Sequence, residues 1–148
     1  MDIRQAQLGD VEGLRVLYME HLTPYPPAQP QDAIAWSQLL ARLIDNPDYH
    51  LLVGESEGRL VSSVTLVVIP NLTHNLRSYA VIENVVTHAE ARGRGCATAL
   101  MARASEIAAE AGCYKIMLMT GSKRESTLAF YERCGFSRDE KTAFLKRL

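Results

Sequence analysis

The fold is decided by one stretch of the chain, which runs Ile82-Glu83-Asn84-Val85-Val86-Thr87-His88-Ala89-Glu90-Ala91-Arg92-Gly93-Arg94-Gly95-Cys96-Ala97. A run of β-branched residues passes through a polar turn into two glycines interleaved with arginines, and an alanine-rich helical pattern follows. Glycine lets a backbone approach an anion closely, and the N–H groups at a helix start point toward negative charge. The stretch therefore predicts a strand, a glycine turn and a helix that together bind a phosphate group.

Two familiar nucleotide-binding patterns fail on this stretch. A dinucleotide fingerprint needs a third glycine, where this chain has Thr98, and an acidic residue about 20 positions later. The next predicted strand ends in Met119-Thr120-Gly121 and supplies no acid. A Walker-type loop needs Gly-Lys-Ser or Gly-Lys-Thr, and the chain contains neither. What remains is the pattern Arg92-x-x-Gly95-x-Ala97 at a strand-to-helix junction.

Bulk composition predicts one ordinary domain over residues 1–148. The net charge of −1 disfavours a general nucleic-acid binder, which usually carries a basic surplus. The N-terminus lacks the form of a signal peptide, and no apolar run reaches the length of about 18 residues that a membrane span needs. Three widely spaced cysteines favour a reducing, cytoplasmic setting, and the four histidines show no metal-ligand spacing. We therefore expect a cytoplasmic protein with no bound metal.

Hydrophobic periodicity predicts an α/β chain in which hairpins come first and a crossover helix follows. Proline-rich residues 23–30 end the first helix near Leu22, and Gly112 and the pair Gly135-Phe136 are predicted helix C-caps. The predicted strands are residues 3–7, 49–55, 59–69, 79–87, 114–120 and 142–148. The predicted helices follow Asp10 and Asp32, then cover residues 97–111 and about 126–134.

The pattern Arg92-x-x-Gly95-x-Ala97 resembles the coenzyme-binding signature of the GNAT superfamily of acetyl-CoA-dependent N-acetyltransferases. A second signature of that family, a tyrosine-bearing helix that ends in Gly-Phe, resembles Leu128-Ala129-Phe130-Tyr131-Glu132-Arg133-Cys134-Gly135-Phe136. The order of elements also resembles the family over nearly the whole chain. The resemblance implies a GNAT fold: a mixed, mostly antiparallel sheet of six to seven strands flanked by about four helices.

The same resemblance implies acetyl-CoA as the acetyl donor. In the family, backbone N–H groups of the turn hold the coenzyme pyrophosphate, and the strand before the turn pairs its main chain with the pantetheine amides. That assigns the turn Arg92, Gly93, Arg94, Gly95, Cys96 and Ala97 to the pyrophosphate, and the main chain of Val85 and Val86 to the pantetheine. The alternative for Arg94 is background charge on a solvated turn.

Acyl transfer to an amine needs a deprotonated amine and a proton for the leaving thiolate. Glu83 alternates with Val81 and Val85 in an apolar strand, which favours a general base acting through water; the alternative is a structural carboxylate. By resemblance, Tyr131 matches the family's general acid, and a phenol proton is available at neutral pH. The alternative for Tyr131 is a core aromatic residue.

The acceptor site is implied to lie at residues 22–31 and 71–78, whose reactive or charged side chains include Tyr25, His74 and Arg77. Arg77 would then meet an anionic group of the substrate. The short sequence segments around Glu83, Tyr114 and Phe136 are similar to those of glucosamine-phosphate N-acetyltransferases.

The chain also departs from the family pattern. Many members carry an asparagine where this chain has Arg124, so the roles of Ser122, Lys123 and Arg124 in coenzyme binding stay open.

The favoured function is acetyl transfer from acetyl-CoA to the primary amine of a small molecule, such as an amino sugar, with direct transfer in a ternary complex. Two alternatives are open: a non-catalytic acyl-CoA sensor, and an acetyltransferase for a protein or peptide amine. The expected partners are acetyl-CoA and the acceptor amine, without nucleic acid or membrane. The family resemblance also implies a homodimer built on the C-terminal strands.

Overall fold

A computed structural model describes residues 1–23 and 32–148 of this protein. The chain divides into two compact units, Met1–Met117 and Leu118–Leu148, which are described in turn. The prediction of one domain over residues 1–148 stays a prediction.

In the part of the chain that the structure describes, five strands form one sheet in the order β1-β2-β3-β4-β5. They are β1 Asp2–Gln5, β2 Tyr49–Ser56, β3 Arg59–Ile69, β4 Tyr79–Thr87 and β5 Ile116–Leu118. The first four strands pair in antiparallel fashion. Just before β5, Tyr114 N donates to Ser78 O and Ala80 N donates to Lys115 O, so this segment advances in the same direction as β4. The mixed, mostly antiparallel sheet is confirmed, with five strands where six to seven were expected.

The described residues contain four α-helices, the number predicted: α1 Val11–Val16, α2 Ala33–Ile44, α3 Cys96–Glu110 and α4 Glu125–Arg133. The helix of α1 continues as a π-helix over Leu17–Leu22, so its end at Leu22 is confirmed. Asp32 caps α2 by accepting a hydrogen bond from Ile34 N at 2.9 Å. None of the helices in residues 1–23 and 32–148 has the length and apolar character of a membrane span.

The sheet of the first unit has a packed layer on each face. On one face, side chains of α1, the π-helix and α2 form a core with β2, β3 and β4; its buried members are Ala6, Leu14, Leu17, Leu40, Leu51, Val53, Leu60 and Val86. Helix α3 packs against β2, β3 and β4. Val61, which follows Leu60 and therefore points to the other face, clusters with Cys96 at the start of α3.

Helix α3 ends as its glycine predicts. Gly112 has a φ of 70°, the left-handed conformation that costs glycine little. Its N–H donates to Ala109 O, and Cys113 N donates to Ala108 O, both at 2.9 Å. This pair of bonds is a Schellman cap, which satisfies carbonyls that the helix end leaves open.

The second unit contains α4 and a C-terminal tail. Gly135 N donates to Glu132 O and Phe136 N to Tyr131 O, which confirms the predicted Schellman cap at Gly135-Phe136. The predicted strand over residues 142–148 is wrong, because residues 141–148 have no regular structure. Alternation is weak there and Phe144 is 91% exposed, so no apolar face is buried that would hold a strand in register.

A charged network fastens β1 to the rest of the first unit. The Arg4 guanidinium donates to Asp10 Oδ2 at 2.6 Å and to Glu55 Oε2 at 2.7 Å, and Gln7 N donates to the same Asp10 carboxylate at 2.8 Å. The Asp10 side chain is only 10% exposed, and its hydrogen bonds from Arg4 lower its pKa. Arg4 therefore compensates a nearly buried negative charge.

We predict that Arg4→Gln lowers the free energy of unfolding by about 1–2 kcal/mol in urea denaturation at pH 7. The loss lies below the ~3–5 kcal/mol of a fully buried pair, because Arg4 is partly solvated. The control is Arg103→Gln, which breaks pairs with Glu106 and Glu110 on the wet face of α3 and should leave stability unchanged. Equal effects at Arg4 and Arg103 would contradict this account of β1.

Candidate functional site

Strand β4 carries a β-bulge in its middle. Thr65 of β3 pairs with Glu83, whereas Ser63 pairs with Val86, so Asn84 and Val85 together oppose a single residue of β3. Asn84 has a φ of 53°, and asparagine tolerates this left-handed conformation better than most residues. The extra residue places Val86, rather than Val85, opposite Ser63. The expectation that Glu83 and Val85 share one regular face therefore needs correction.

The predicted glycine turn forms between β4 and α3. Gly93 and Gly95 have φ values of 75° and 78°, and a Cβ at either position would meet no atom within 4 Å. Glycine is therefore required by the backbone conformation and not by crowding. Gly95 is the N-cap of α3 and has no side chain to cap the helix. The first N–H groups of a helix lack intrahelical acceptors, so this end suits an anion.

The two arginines of the turn have different surroundings. Arg92 Nε donates to Thr87 O at 3.2 Å, which braces the turn against the end of β4. Arg94 is exposed and lines an open cavity of about 880 Å³, together with Arg59 and Glu90, which pair at 3.0 Å. Cys96 is buried, and its thiol points to Ala91 O at 3.6 Å. The cavity lies beside the turn, and Glu83 does not line it.

Glu83 lies on the face of the sheet that the π-helix covers. Directly paired residues of an antiparallel ladder share a face, so Glu83 shares one with Thr65 and, two residues along β3, with Ser63. The Tyr18 hydroxyl of the π-helix lies 3.4 Å from Ser63 Oγ, which fixes that face. Glu83 is exposed, so the burial expected from its apolar strand is not found. Its carboxylate makes no hydrogen bond or ion pair within the described residues.

The predicted acceptor residues lie at the other end of β4 or outside the described residues. His74 stacks on Tyr114 with ring centroids 3.9 Å apart, and Arg77 donates to Gly112 O and Cys113 O at 3.1 Å. Arg77 therefore already supports the turn after α3. Tyr25 falls in residues 24–31, outside the described residues.

Two histidines that the sequence analysis did not single out meet near the start of the glycine turn. His21 of the π-helix and His88 have ring centroids 4.3 Å apart in an edge-to-face arrangement. Burial lowers the pKa of His21, and His88 and Arg92 lower it further, whereas Glu20 and Glu90 oppose the change. No cluster of three or more metal-ligating side chains occurs among the described residues.

In the second unit, Tyr131 lies on α4 with its ring centroid 5.0 Å from that of Phe130. Arg124 occupies the N-cap position of α4, where it makes no side-chain cap. The Ser122 hydroxyl instead accepts from Arg124 N at 3.3 Å and donates to Thr127 Oγ1 at 3.2 Å. Ser122 thus orders the loop before α4.

Comparison with known proteins gives a consistent result. Residues 13–136 match the model of the acetyltransferase (GNAT) family. The chain is 33% identical to glucosamine 6-phosphate N-acetyltransferase of Trypanosoma brucei brucei, over 82% of this chain and 79% of that protein. It is 32% identical to the probable glucosamine 6-phosphate N-acetyltransferase 2 of Oryza sativa subsp. japonica, over 92% and 81% of the two chains. A solved structure from Agrobacterium tumefaciens str. C58, provisionally named an acetyltransferase, matches 100% of both chains with 38% identity and a TM-score of 0.90.

The bulge gives a prediction about Asn84. We predict that Asn84→Val lowers the free energy of unfolding by about 1–2 kcal/mol, because a β-branched residue is strained at positive φ. Asn84→Gly relieves that strain and should leave stability unchanged or slightly higher in the same urea titration. A valine variant as stable as the glycine variant would show that the bulge does not constrain this position.

The histidine pair gives a prediction about pH. Because His21 has a lowered pKa in the fold, the unfolded chain binds more protons, so stability is complete above about pH 6.5 and falls as the pH drops toward the lowered value. Thermal unfolding midpoints between pH 8 and 5 measure this slope. His21→Gln should flatten it, with a residual slope because burial also lowers the pKa of His50. An unchanged slope in His21→Gln would refute this assignment.

Proposed function

Because this chain belongs to the acetyltransferase (GNAT) family, we propose that it moves the acetyl group of acetyl-CoA to the primary amine of an amino-sugar phosphate. The observation that carries the proposal is the open glycine turn at the start of α3, directly after the strand that holds Glu83. The choice of acceptor is supported by the two relatives named as glucosamine 6-phosphate N-acetyltransferases.

The residues of the turn fit the phosphate groups of coenzyme A. Gly93 and Gly95 leave open space at the backbone, and Arg92 and Arg94 supply positive charge. We assign the main chain of Arg92–Ala97, including Cys96, to the pyrophosphate, and the main chain of Val85 and Val86 to the pantetheine arm. When bound, acetyl-CoA supplies an acetyl group activated as a thioester.

Glu83 is the proposed general base. An amine must lose its proton before it attacks a carbonyl, and a carboxylate within reach directly or through one water can accept that proton. The exposure of Glu83 and its freedom from ion pairs within the described residues support this role, since a carboxylate already neutralised by an arginine is a weaker base.

Tyr131 is the proposed general acid, which donates its hydroxyl proton to the thiolate of coenzyme A as the carbon–sulfur bond breaks. Its place in a helix that ends with a Gly-Phe Schellman cap supports the match to the family signature. At the end of each turnover Glu83 releases its extra proton to solvent, and Tyr131 takes a proton back from solvent.

For the acceptor we propose Tyr25, His74 and Arg77 as binding residues. Arg77 would bind a phosphate through the guanidinium N–H groups that its two backbone hydrogen bonds do not use. We also propose a cytoplasmic homodimer without nucleic-acid or membrane partners. The net charge of −1 and three cysteines without disulfides are consistent with that setting.

An acyl-CoA sensor without turnover is the second candidate, and a protein or peptide amine is the alternative acceptor. The presence of a carboxylate at position 83 and a phenol at position 131 favours the enzyme over the sensor. A panel of small amines and peptide N-termini, with free thiol as the readout, separates the candidates. Tight acetyl-CoA binding without thiol release for any amine would favour the sensor.

We predict that the protein releases free thiol from acetyl-CoA in the presence of D-glucosamine 6-phosphate. Glu83→Gln and Tyr131→Phe should each lower kcat by roughly 10²–10⁴-fold, the usual range for loss of a general base or acid, and should leave the Kd for acetyl-CoA within about three-fold. Calorimetry measures that Kd independently of turnover. A variant with the wild-type rate would remove that residue from the mechanism.

A further inference from the structure

Three hydroxyls lie close together in the mostly apolar layer between the sheet and the π-helix. They belong to Tyr18 of the π-helix and to Ser63 and Thr65 of β3. Ser63 and Thr65 are 0% and 2% exposed, and burial raises the pKa of Tyr18. Valine or isoleucine would suit a buried strand position better than serine or threonine. The sequence therefore keeps polar atoms here at some cost to stability.

Thr65 is the least satisfied of the three. Its Oγ1 is buried and completes no hydrogen bond within the described residues. Contact between Thr65 and the Tyr18 hydroxyl opposes the rise in the Tyr18 pKa, yet the geometry of that contact completes no hydrogen bond for Thr65 Oγ1. By contrast, the buried Ser62 hydroxyl of the same strand is satisfied by Val86 O at 2.7 Å. A buried hydroxyl without a partner is unusual in folded proteins and calls for a partner that arrives with function.

The ladder identifies that partner. Thr65 and Glu83 are direct register partners across β3 and β4. Side chains in such a pair point to the same face with Cβ atoms roughly 4.5–5.5 Å apart, which a hydroxyl and a carboxylate span directly or with one water between them. Glu83 has no competing hydrogen bond within the described residues. The bulge at Asn84 begins immediately after Glu83, so the pair lies next to the interruption in the pairing of β3 with β4.

We propose that Thr65 is a positioning residue for Glu83: its hydroxyl donates a hydrogen bond to the carboxylate, directly or through one water, and holds it for proton transfer from the acceptor. Tyr18 and Ser63 complete the arrangement by restricting the Thr65 side chain from the π-helix side. π-Helical turns are frequent at functional sites, which agrees with Tyr18 lying in one. This inference rests on the proposed function, in which Glu83 is the general base.

The test compares two substitutions that differ by one hydroxyl. Thr65→Val keeps the shape of the side chain and removes the hydroxyl, whereas Thr65→Ser keeps the hydroxyl. With acetyl-CoA and D-glucosamine 6-phosphate, we expect Thr65→Val to lower kcat about ten-fold, the size of one lost charge-assisted hydrogen bond, with little change in KM for acetyl-CoA. Thr65→Ser should retain most of the wild-type kcat.

Stability separates a positioning role from a structural one. Removal of a poorly satisfied buried hydroxyl should leave the thermal unfolding midpoint of Thr65→Val unchanged or higher. Lower activity together with undiminished stability supports the proposal. Wild-type kcat in Thr65→Val, or a loss of activity that follows a fall in the unfolding midpoint, overturns it.

A double-mutant cycle keeps this inference distinct from the proposed function. If Thr65 acts through Glu83, Thr65→Val should have no further effect on kcat in a Glu83→Gln background. An equal ten-fold loss in both backgrounds overturns the positioning role and leaves the base intact. If the wild type acetylates none of the amines, the proposed function fails instead.

A crystal structure tests the contact directly. Thr65 Oγ1 within about 3.2 Å of Glu83, or of a water bound to Glu83, supports the proposal. The absence of both contacts overturns it.

Discussion

The bulge in β4 is the constraint on which the candidate site depends. Asn84 adopts a left-handed conformation in the middle of a paired strand, and the ladder to β3 absorbs one extra residue there. Glu83 and Val86 consequently both lie on the face of α1 and the π-helix. Val86 joins the buried core while Glu83 remains exposed. In a regular strand these two residues would point to opposite faces of the sheet.

The glycine turn is a second consequence of the path of β4. The strand delivers the chain into a turn in which Gly93 and Gly95 adopt positive φ, and α3 begins with its N–H groups turned back toward the strand end. Arg92 secures this arrangement through Thr87 O, so one arginine of the turn braces the backbone while Arg94 faces solvent. Positive charge, open backbone and helix dipole therefore coincide at one place.

Sequence reasoning predicted the features that local rules govern. Gly112 and Gly135 end their helices as expected, and β3 and β4 have the predicted bounds. Helix caps and the alternation of apolar and polar residues in strands depend on residues that are close in sequence. Features that depend on pairing were missed. The bulge had one local sign, an asparagine inside a β-branched run, and the three hydroxyls had only the polar interruptions at Ser63 and Thr65. The tail over residues 142–148 has strand-like residues, yet a strand also needs a partner and a face to bury.

The position of the hydroxyls explains why a chain would retain the π-helix at the end of α1. A π-helical turn is less favourable than an α-helical one, so its persistence over Leu17–Leu22 needs a compensating contact. That turn brings Tyr18 onto Ser63, which pairs with Val86 just beyond the bulge, and His21 onto His88, which follows the end of β4. One widened turn therefore aligns polar groups along the same strand that holds Glu83. An acceptor amine that gives its proton to Glu83 approaches from this face, on which Tyr18, Ser63 and Thr65 place hydroxyls beside the apolar core.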